Sequence, residues 1–335
     1  MFNFFSGAGR ILRMRLFFRW PWVAVALVMA FMPLHASAQK KVVAVLMTAS
    51  HPAMDASLAG LRESLKQAGF SEPQTLRIDI RDAQAEPARA AQFARELIES
   101  KPDVVVALGN PAAQAMVAAT RRIPVVFSAV TDPVEVALLP SWQASGTNVT
   151  GVSDLVPMSK QIDLIRQLRP ATRRVGMVHS QTEPNARVSF RLMQEASSKA
   201  GMTLIDVAVT RSMTVGAAAR SLIGKVDVLF VGTDHQVTLA MDSLSKVAND
   251  ARLPLFAADA AQVERGAVAA WAIDYRALGQ QTGRMVTRIL RGTAPGAIAP
   301  ETSTRYQLVI NPKSASLQGV QIPENLIKNA NLVGQ

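Results

Sequence analysis

Cysteine is absent from all 335 residues of the chain. The protein therefore forms no disulfide, offers no thiolate to a metal and has no cysteine to which a lipid could be attached after export. A G-x-S-x-G turn is also missing, so neither of the two most common nucleophile arrangements of hydrolases has support. Neither a G-x-G-x-x-G nor a G-K-[ST] phosphate loop occurs, and no cofactor is predicted.

Aromatic residues make up only 5% of the chain. Their scarcity makes Trp142, Trp271 and Tyr275 conspicuous as groups on which a ligand could stack. Trp271 falls inside a predicted strand, where packing in the core is an equally good interpretation.

Histidine is scarce as well, with four residues in the whole chain. Three of them, His51, His179 and His235, follow or end predicted strands. None of these histidines has a partner at the short spacing of a metal-binding motif, so no metal site is predicted.

The formal net charge is +11, but no basic run with interleaved aromatic residues occurs, which argues against nucleic-acid binding. Four arginines and no acid precede an apolar stretch at 23–32 and the small-residue pattern Ala36-Ser37-Ala38. This arrangement predicts a cleaved signal peptide at 1–38 and export to a bacterial periplasm, without a lipid anchor. A membrane-spanning segment is the alternative, against which Pro21 and Pro33 argue.

Short apolar runs alternate with segments of helical periodicity from residue 39 onwards. The apolar runs predict strands at 42–47, 76–80, 104–108, 125–127, 175–178, 204–209, 226–231, 255–256 and 266–273. Helices are predicted between them, among them 158–168, 185–200, 236–249 and 276–291. The alternation breaks around 124–154, which we interpret as a crossover between two halves. The fold class is therefore α/β, with two Rossmann-like lobes built on parallel sheets around a cleft.

Ligands of open parallel sheets bind beyond the carboxyl ends of the strands, next to helix N-termini. The candidate ligand-binding residues are consequently the polar side chains that follow strands. They are Thr48, Ser50, Asn110, Ser128, Thr131, Asp132, Glu183, Asn185, Thr233, Asp234, Asp259, Asp274 and Tyr275. Any one of them alone is explained as well by capping of the next helix.

Several segments resemble one known family across nearly the whole mature chain. These segments are SHPAMD at 50–55, GNPAAQ at 109–114, VTDP at 130–133, NVTGVSD at 148–154, EPN at 183–185, TD at 233–234 and NPK at 311–313. They resemble the periplasmic substrate-binding proteins of ABC transporters, in the branch that includes tryptophan- and tyrosine-type binders. His179, His235 and Trp271 depart from the family pattern near the predicted cleft, which leaves the side chain of the ligand open.

The resemblance implies a type I periplasmic-binding fold with three hinge crossings, which we place near 148–154, 273–275 and 300–306. The first lobe is then expected at 39–147 with 275–300, and the second at 148–274 with 301–335. Asn148 and Thr150 are expected to hold the first crossing by side-chain hydrogen bonds, and Gly151 to permit a close backbone approach.

The resemblance also implies a monomer without catalytic activity that closes on a small zwitterion and presents it to an inner-membrane permease. An amino acid with an aromatic or hydrophobic side chain is the expected ligand. Two alternatives remain at this stage. One is a sensory module for a membrane receptor or kinase. The other is an exported α/β enzyme that pairs His51 with Ser50, or His235 with Thr233.

Overall fold

The computed structural model describes residues 40–334 of the chain. The predicted signal peptide at 1–38 lies outside these residues. Within them, no helix combines the length and apolar character needed to cross a membrane.

The first sheet has six parallel strands in the order β11-β5-β4-β3-β1-β2. Its strands are β1 (Lys41–Met47), β2 (Leu76–Asp82), β3 (Val104–Leu108), β4 (Val125–Ser128), β5 (Val149–Ser153) and β11 (Glu301–Thr302). The helices between them are α1 (Pro52–Gln67), α2 (Pro87–Glu99) and α3 (Asn110–Ala119). Strands β3, β4 and β5 are buried along their whole length because helices and loops cover both faces of the sheet.

The second sheet has seven strands in the order β13-β12-β10-β9-β8-β6-β7. Its strands are β6 (Arg174–Ser180), β7 (Thr203–Val209), β8 (Val228–Val231), β9 (Leu255–Ala257), β10 (Ala269–Ile273), β12 (Tyr306–Ile310) and β13 (Asn331–Leu332). All pairings are parallel except β10 with β12.

Eight helices of the second half of the chain accompany the second sheet. They are α4 (Met158–Leu168), α5 (Pro184–Lys199), α6 (Val215–Leu222), α7 (His235–Leu239), α8 (Met241–Ala251), α9 (Ala260–Glu264), α11 (Pro312–Leu317) and α12 (Glu324–Ile327). One long helix, α10 (Tyr275–Leu290), follows the second sheet in sequence but packs on the first. The predicted α/β class with two parallel-sheet lobes is therefore confirmed.

The chain passes between the two sheets at 154–157, at Asp274 and at 303–305. The first passage comes later than the expected boundary at 147/148, because β5 pairs with β4 from Val149 to Ser153. Strand β11 likewise pairs with β5 in the first sheet, so residues 301–302 do not open the second lobe as expected.

The residues expected to hold the first crossing instead anchor β5 within the first lobe. Asn148 Nδ2 donates to the carbonyl of Ile123 at 2.8 Å, and Thr150 Oγ1 donates to that of Ile298 at 2.9 Å. Gly151 does permit a close approach, since a Cβ there would lie 2.2 Å from the carbonyl oxygen of Phe127.

Two predicted elements differ locally from the structure. The helix predicted at 236–249 is divided into α7 and α8 at Ala240. The Arg265 guanidinium donates to the carbonyls of Thr238 and Leu239, which thereby have a partner outside the helix. The strand predicted at 266–273 begins only at Ala269, and the short helix α9 before it was not predicted.

Helices α1 and α10 pack closely because small residues line their contact. A Cβ on Gly279 would lie 1.9 Å from the carbonyl oxygen of Ser57, and one on Gly60 would lie 2.0 Å from that of Arg276. Beneath the contact, the buried Ser128 hydroxyl lies 2.8 Å from Thr282 Oγ1 and 3.4 Å from Ser57 Oγ. The beginnings of both helices are thereby held side by side.

We expect Gly279→Ala to lower the free energy of unfolding by about 1–3 kcal/mol, because the new methyl group meets backbone that cannot move away. Gly216→Ala in α6 is the matched control, since its Cβ would meet only the hydroxyl of Ser243, which can rotate. In α6 the alanine should be neutral or stabilising. Urea unfolding measures both, and equal stability of the two variants would contradict the close contact.

Candidate functional site

A cavity of about 630 Å³ lies between the lobes, at the carboxyl ends of the strands. The first lobe contributes the beginning of α1 at His51, Pro52 and Ala53, together with Thr131 after β4. The second lobe contributes side chains that follow β8 and β9. Residues of the chain passages between the sheets, Asp154 and Asp274, also line it. The cavity therefore occupies the position expected for a ligand of parallel sheets.

The structure brings together these members of the predicted site: Thr131, Asn185, Thr233, Asp234, Asp259, Asp274 and Tyr275. They come from both lobes, although they are spread over 145 residues of sequence. Asn185 is fixed by its own hydrogen bond, in which Nδ2 donates to the carbonyl of Thr233 at 2.7 Å.

Three predicted residues of the first lobe have roles away from the cavity lining. Thr48 Oγ1 donates to the carbonyl of Leu108 at 3.0 Å and accepts from the amide of Ala112 at 3.2 Å, so it joins β1 to the start of α3. Ser50 Oγ donates to Asp55 at 2.9 Å on the surface. Ser128 lies under the contact between α1 and α10.

The other three predicted residues outside the lining lie at turns and helix starts. Asp132 Oδ1 accepts from the amides of Val134 and Glu135, as a turn-forming aspartate does. Glu183 precedes α5, and its Oε1 accepts from the amide of Gln236 at 3.0 Å. Asn110 is the first residue of α3.

Asp154 is the most unusual acid in the cavity. It follows β5, its side chain is buried, and Oδ2 accepts a hydrogen bond from Tyr275 Oη at 3.2 Å. The other oxygen, Oδ1, is buried and has no hydrogen-bond partner among residues 40–334. Since a buried carboxylate oxygen is costly without a partner, Asp154 is suited to bind a cation or donor that enters the cavity.

The electrostatics of the cavity favour an entering positive charge. Burial raises the pKa of Asp154, and the charge of Asp259 from the other lobe adds to that rise, against the nearby hydroxyls of Thr131 and Tyr275. Burial also raises the pKa of Asp234 and of Asp259. Burial and the charges of Asp154 and Asp259 raise the pKa of the Tyr275 phenol well above its ordinary value.

Most of the cavity aspartates also cap helices. Asp234 accepts from the amide of Val237, Asp259 from that of Ala261 and Asp274 from that of Ala277. These three residues therefore cap helices and line the cavity at the same time. The beginning of α1 differs, because its N-cap residue His51 makes no side-chain capping hydrogen bond. It is a helix N-terminus at which an anion would be stabilised.

The tryptophans singled out in the sequence do not line the cavity. Trp271 lies in β10, with the Lys160 ammonium 5.5 Å from its ring centroid, and Trp142 lies in the loop before β5. His51 lines the cavity. His179 is buried elsewhere, stacked on Phe190, with Nε2 3.0 Å from Asp206. Among the side chains that the structure describes, which do not include that of His235, no group of acids and histidines is arranged to hold a metal.

The cavity is also lined by Asp154, Gln262 and Arg276, which are not among the residues predicted from the sequence. Asp154 follows a strand as the predicted residues do, but it falls in the segment 148–154 that the sequence predicts to be a crossing between the lobes. Gln262 follows no strand, and its amide donates to the carbonyl of Gly232 and to Thr238 Oγ1 at 2.9 Å each. No sequence signal marks it. Arg276 pairs with Glu63 of α1.

Two doubly wound lobes, three chain passages and a cavity between the lobes that is lined by several aspartates define a type I periplasmic binding protein. The chain belongs to the family described as ABC transporter substrate binding protein, whose sequence profile matches residues 42–333. Proteins of this family bind substrates rather than convert them, which agrees with the expected absence of catalysis.

Similar proteins come from several bacteria. The tyrosine-binding protein of Clostridioides difficile is 31% identical over 275 residues, which cover 82% of this chain and 80% of the relative. A ligand-free, open substrate-binding protein of Clostridium difficile has a TM-score of 0.80 and 32% identity, with 88% of this chain and 99% of the other covered. A Streptococcus pneumonia ABC domain in complex with L-Trp has a TM-score of 0.77 and 29% identity, with coverage of 88% and 100%.

We expect Asp154→Asn to raise the stability of the ligand-free protein at neutral pH. Because the folded state raises the pKa of Asp154, folding stability falls as the pH rises from the unfolded pKa through the folded one. Asparagine does not titrate, so the variant does not lose this stability. Its gain in the free energy of unfolding over the native protein should therefore shrink as the pH falls towards about 4. Urea unfolding across this pH range, with the exposed Asp250→Asn as control, tests it. A loss of stability at every pH would instead make Asp154 a structural partner of Tyr275.

Proposed function

We propose that this protein is the solute-binding component of an ABC import system and binds a small zwitterion, an amino acid, between its lobes. The observation that carries the proposal is the unpartnered, buried Oδ1 of Asp154 at a cavity that also contains Asp259 of the opposite lobe. An α-ammonium group that reaches both carboxylates would neutralise charge from both lobes at once.

The opposite end of the zwitterion has a matching position. The first turn of α1 borders the cavity at Pro52 and Ala53 and has no side-chain cap. Its free amide groups and helix dipole favour a carboxylate. Of the acceptors and donors selected from the sequence, Asp234, Asp259, Asp274 and Thr131 remain candidates for ligand contacts, and Asp154 is added to them.

The relatives support an amino acid as the ligand class, because one of them is a tyrosine-binding protein and another is an ABC domain in complex with L-Trp. Here the aromatic Tyr275 and several alanines, among them Ala53, Ala56, Ala260 and Ala261, line the cavity. These small side chains leave room for an aromatic or hydrophobic side chain of the ligand. We therefore include tyrosine and tryptophan among the first candidates.

The mechanism we propose is hinge closure. The three passages at 154–157, Asp274 and 303–305 connect the lobes, and a ligand that contacts both lobes binds the closed state more tightly than the open one. The closed monomer would then deliver the ligand to an inner-membrane permease. Export through the signal peptide at 1–38 would place it in the periplasm, without a lipid anchor.

Calorimetric titration with the twenty L-amino acids tests the ligand class. We expect at least one of them to bind. Its N-acetyl derivative, which lacks the ammonium, and its decarboxylated amine, which lacks the carboxylate, should both bind more weakly by at least about tenfold, the loss of one charge-assisted hydrogen bond. No response to any amino acid, together with a response to sugars or metal ions, would reject the proposal.

Asp154→Asn should weaken binding of that amino acid by about 1.5–3 kcal/mol, or roughly ten- to a hundredfold, because a charge-assisted hydrogen bond is lost. Asp274→Asn separates capping from charge, since asparagine still caps α10. If Asp274 contacts the ammonium, that variant should weaken binding similarly without loss of stability. Asp250→Asn, on the surface of α8, should bind as the native protein does. Native affinity of Asp154→Asn would exclude the proposed ammonium position.

A further inference from the structure

Two ion pairs join the lobes beside the cavity. Arg187 Nη2 lies 3.3 Å from Glu135 Oε1, and Arg191 Nη2 lies 3.9 Å from Asp132 Oδ2. Both arginines are on α5 of the second lobe, and both acids are in the turn after β4 of the first lobe. The other ion pairs that the structure describes between residues 40 and 334 each stay within one lobe.

The geometry of α5 and of the turn suits this contact. Arg187 and Arg191 are four residues apart, so they lie on one face of the helix. The turn is held by Asp132, whose Oδ1 accepts from the amides of Val134 and Glu135 at 2.9 and 3.2 Å. That leaves Oδ2 of Asp132 and the carboxylate of Glu135 directed towards the arginines.

The same two segments also form walls of the cavity. Thr131, next to Asp132, lines it from the first lobe, and Asn185, two residues before Arg187, lines it from the second. A change in the separation of the lobes must therefore change the cavity and the ion pairs together. The arginine side chains are about half exposed, at 49% and 54%, so solvent can reach and screen the pairs.

We propose that Arg187 and Arg191 of α5, with Glu135 and Asp132 of the turn, form a cleft latch that stabilises the closed arrangement of the lobes. The latch acts on closure without touching the ligand, so these four are positioning residues. The inference rests on the proposed hinge closure, but it does not depend on which ligand binds. Because exposed ion pairs are weak, each should change the ratio of closed to open protein by only about two- to fivefold.

The absence of cysteine permits a direct test. Glu96→Cys on α2 and Ala217→Cys on α6 place two exposed labelling sites on different lobes. Spin labels at these sites report the distribution of interlobe distances in the ligand-free protein by pulsed electron paramagnetic resonance. Measurements at low and high sodium chloride concentration then separate the electrostatic contribution from the rest.

We expect the native latch to give a short-distance component that decreases in high salt. Glu135→Gln and Arg187→Gln should each reduce it about two- to fivefold at low salt, and the double variant should lose little more than either single one. Arg191→Gln should reduce it as well. Lys246→Gln, which breaks an exposed pair with Asp250 inside the second lobe, is the control and should leave the distances unchanged.

A native distribution without a short-distance component would overturn the latch, and so would identical distributions in the native and latch variants. A short-distance component that is insensitive to salt would overturn it too. These results are obtained without any ligand. Failure of the amino-acid panel would therefore reject the proposed ligand but not the latch, and failure here would leave the ligand proposal standing.

Discussion

The close packing of α10 on α1 is the contact on which the arrangement of the cavity depends. Strand β10 belongs to the second sheet and ends at Ile273, yet α10 begins at Tyr275 and packs on the first lobe. A single residue, Asp274, thus spans the lobes at this passage. The glycines in the contact permit the approach, and the approach brings the phenol of Tyr275 to Asp154 at the neighbouring passage. A bulkier contact would displace two residues that line the cavity.

The distribution of charge within the cavity follows from the same architecture. Parallel strands deliver helix N-termini to one edge, and aspartate is among the best residues to cap them. Asp234, Asp259 and Asp274 therefore have a partner before any ligand arrives. Asp154 lies in a passage between the sheets rather than at a helix start, and its Oδ1 has no hydrogen-bond partner among the described residues. Asp154, which caps no helix, is therefore the cavity aspartate that the proposed function assigns to the ligand ammonium.

Strand content and fold class could be predicted because strands buried on both faces are continuous apolar runs, as at 104–108. The lobe boundary could not, since residues 149–153 carry no local signal of which sheet their amides will pair with. The choice of polar residues that follow strands found Asp259 and Asn185, which line the cavity. It also selected Thr48 and Ser128, which do not. Successive side chains of an extended chain point in opposite directions, and sequence position alone does not say which one faces the cleft. Gln262 could not be predicted from the sequence, because only the folded chain brings its helix to the cavity.

In the proposed closure of the two lobes, two electrostatic effects would oppose each other. Asp154 of the first passage and Asp259 of the second lobe both line the cavity, and burial and the charge of Asp259 raise the pKa of Asp154. Repulsion between the two carboxylates would oppose closure of the empty protein. The pairs of Arg187 and Arg191 would favour closure, but they are exposed and individually weak. A balance of this kind would leave the empty protein free to open. A ligand ammonium between the two carboxylates would convert the repulsion into attraction. Because it changes the sign of the opposing effect, it would shift the closure equilibrium further than one more surface ion pair would.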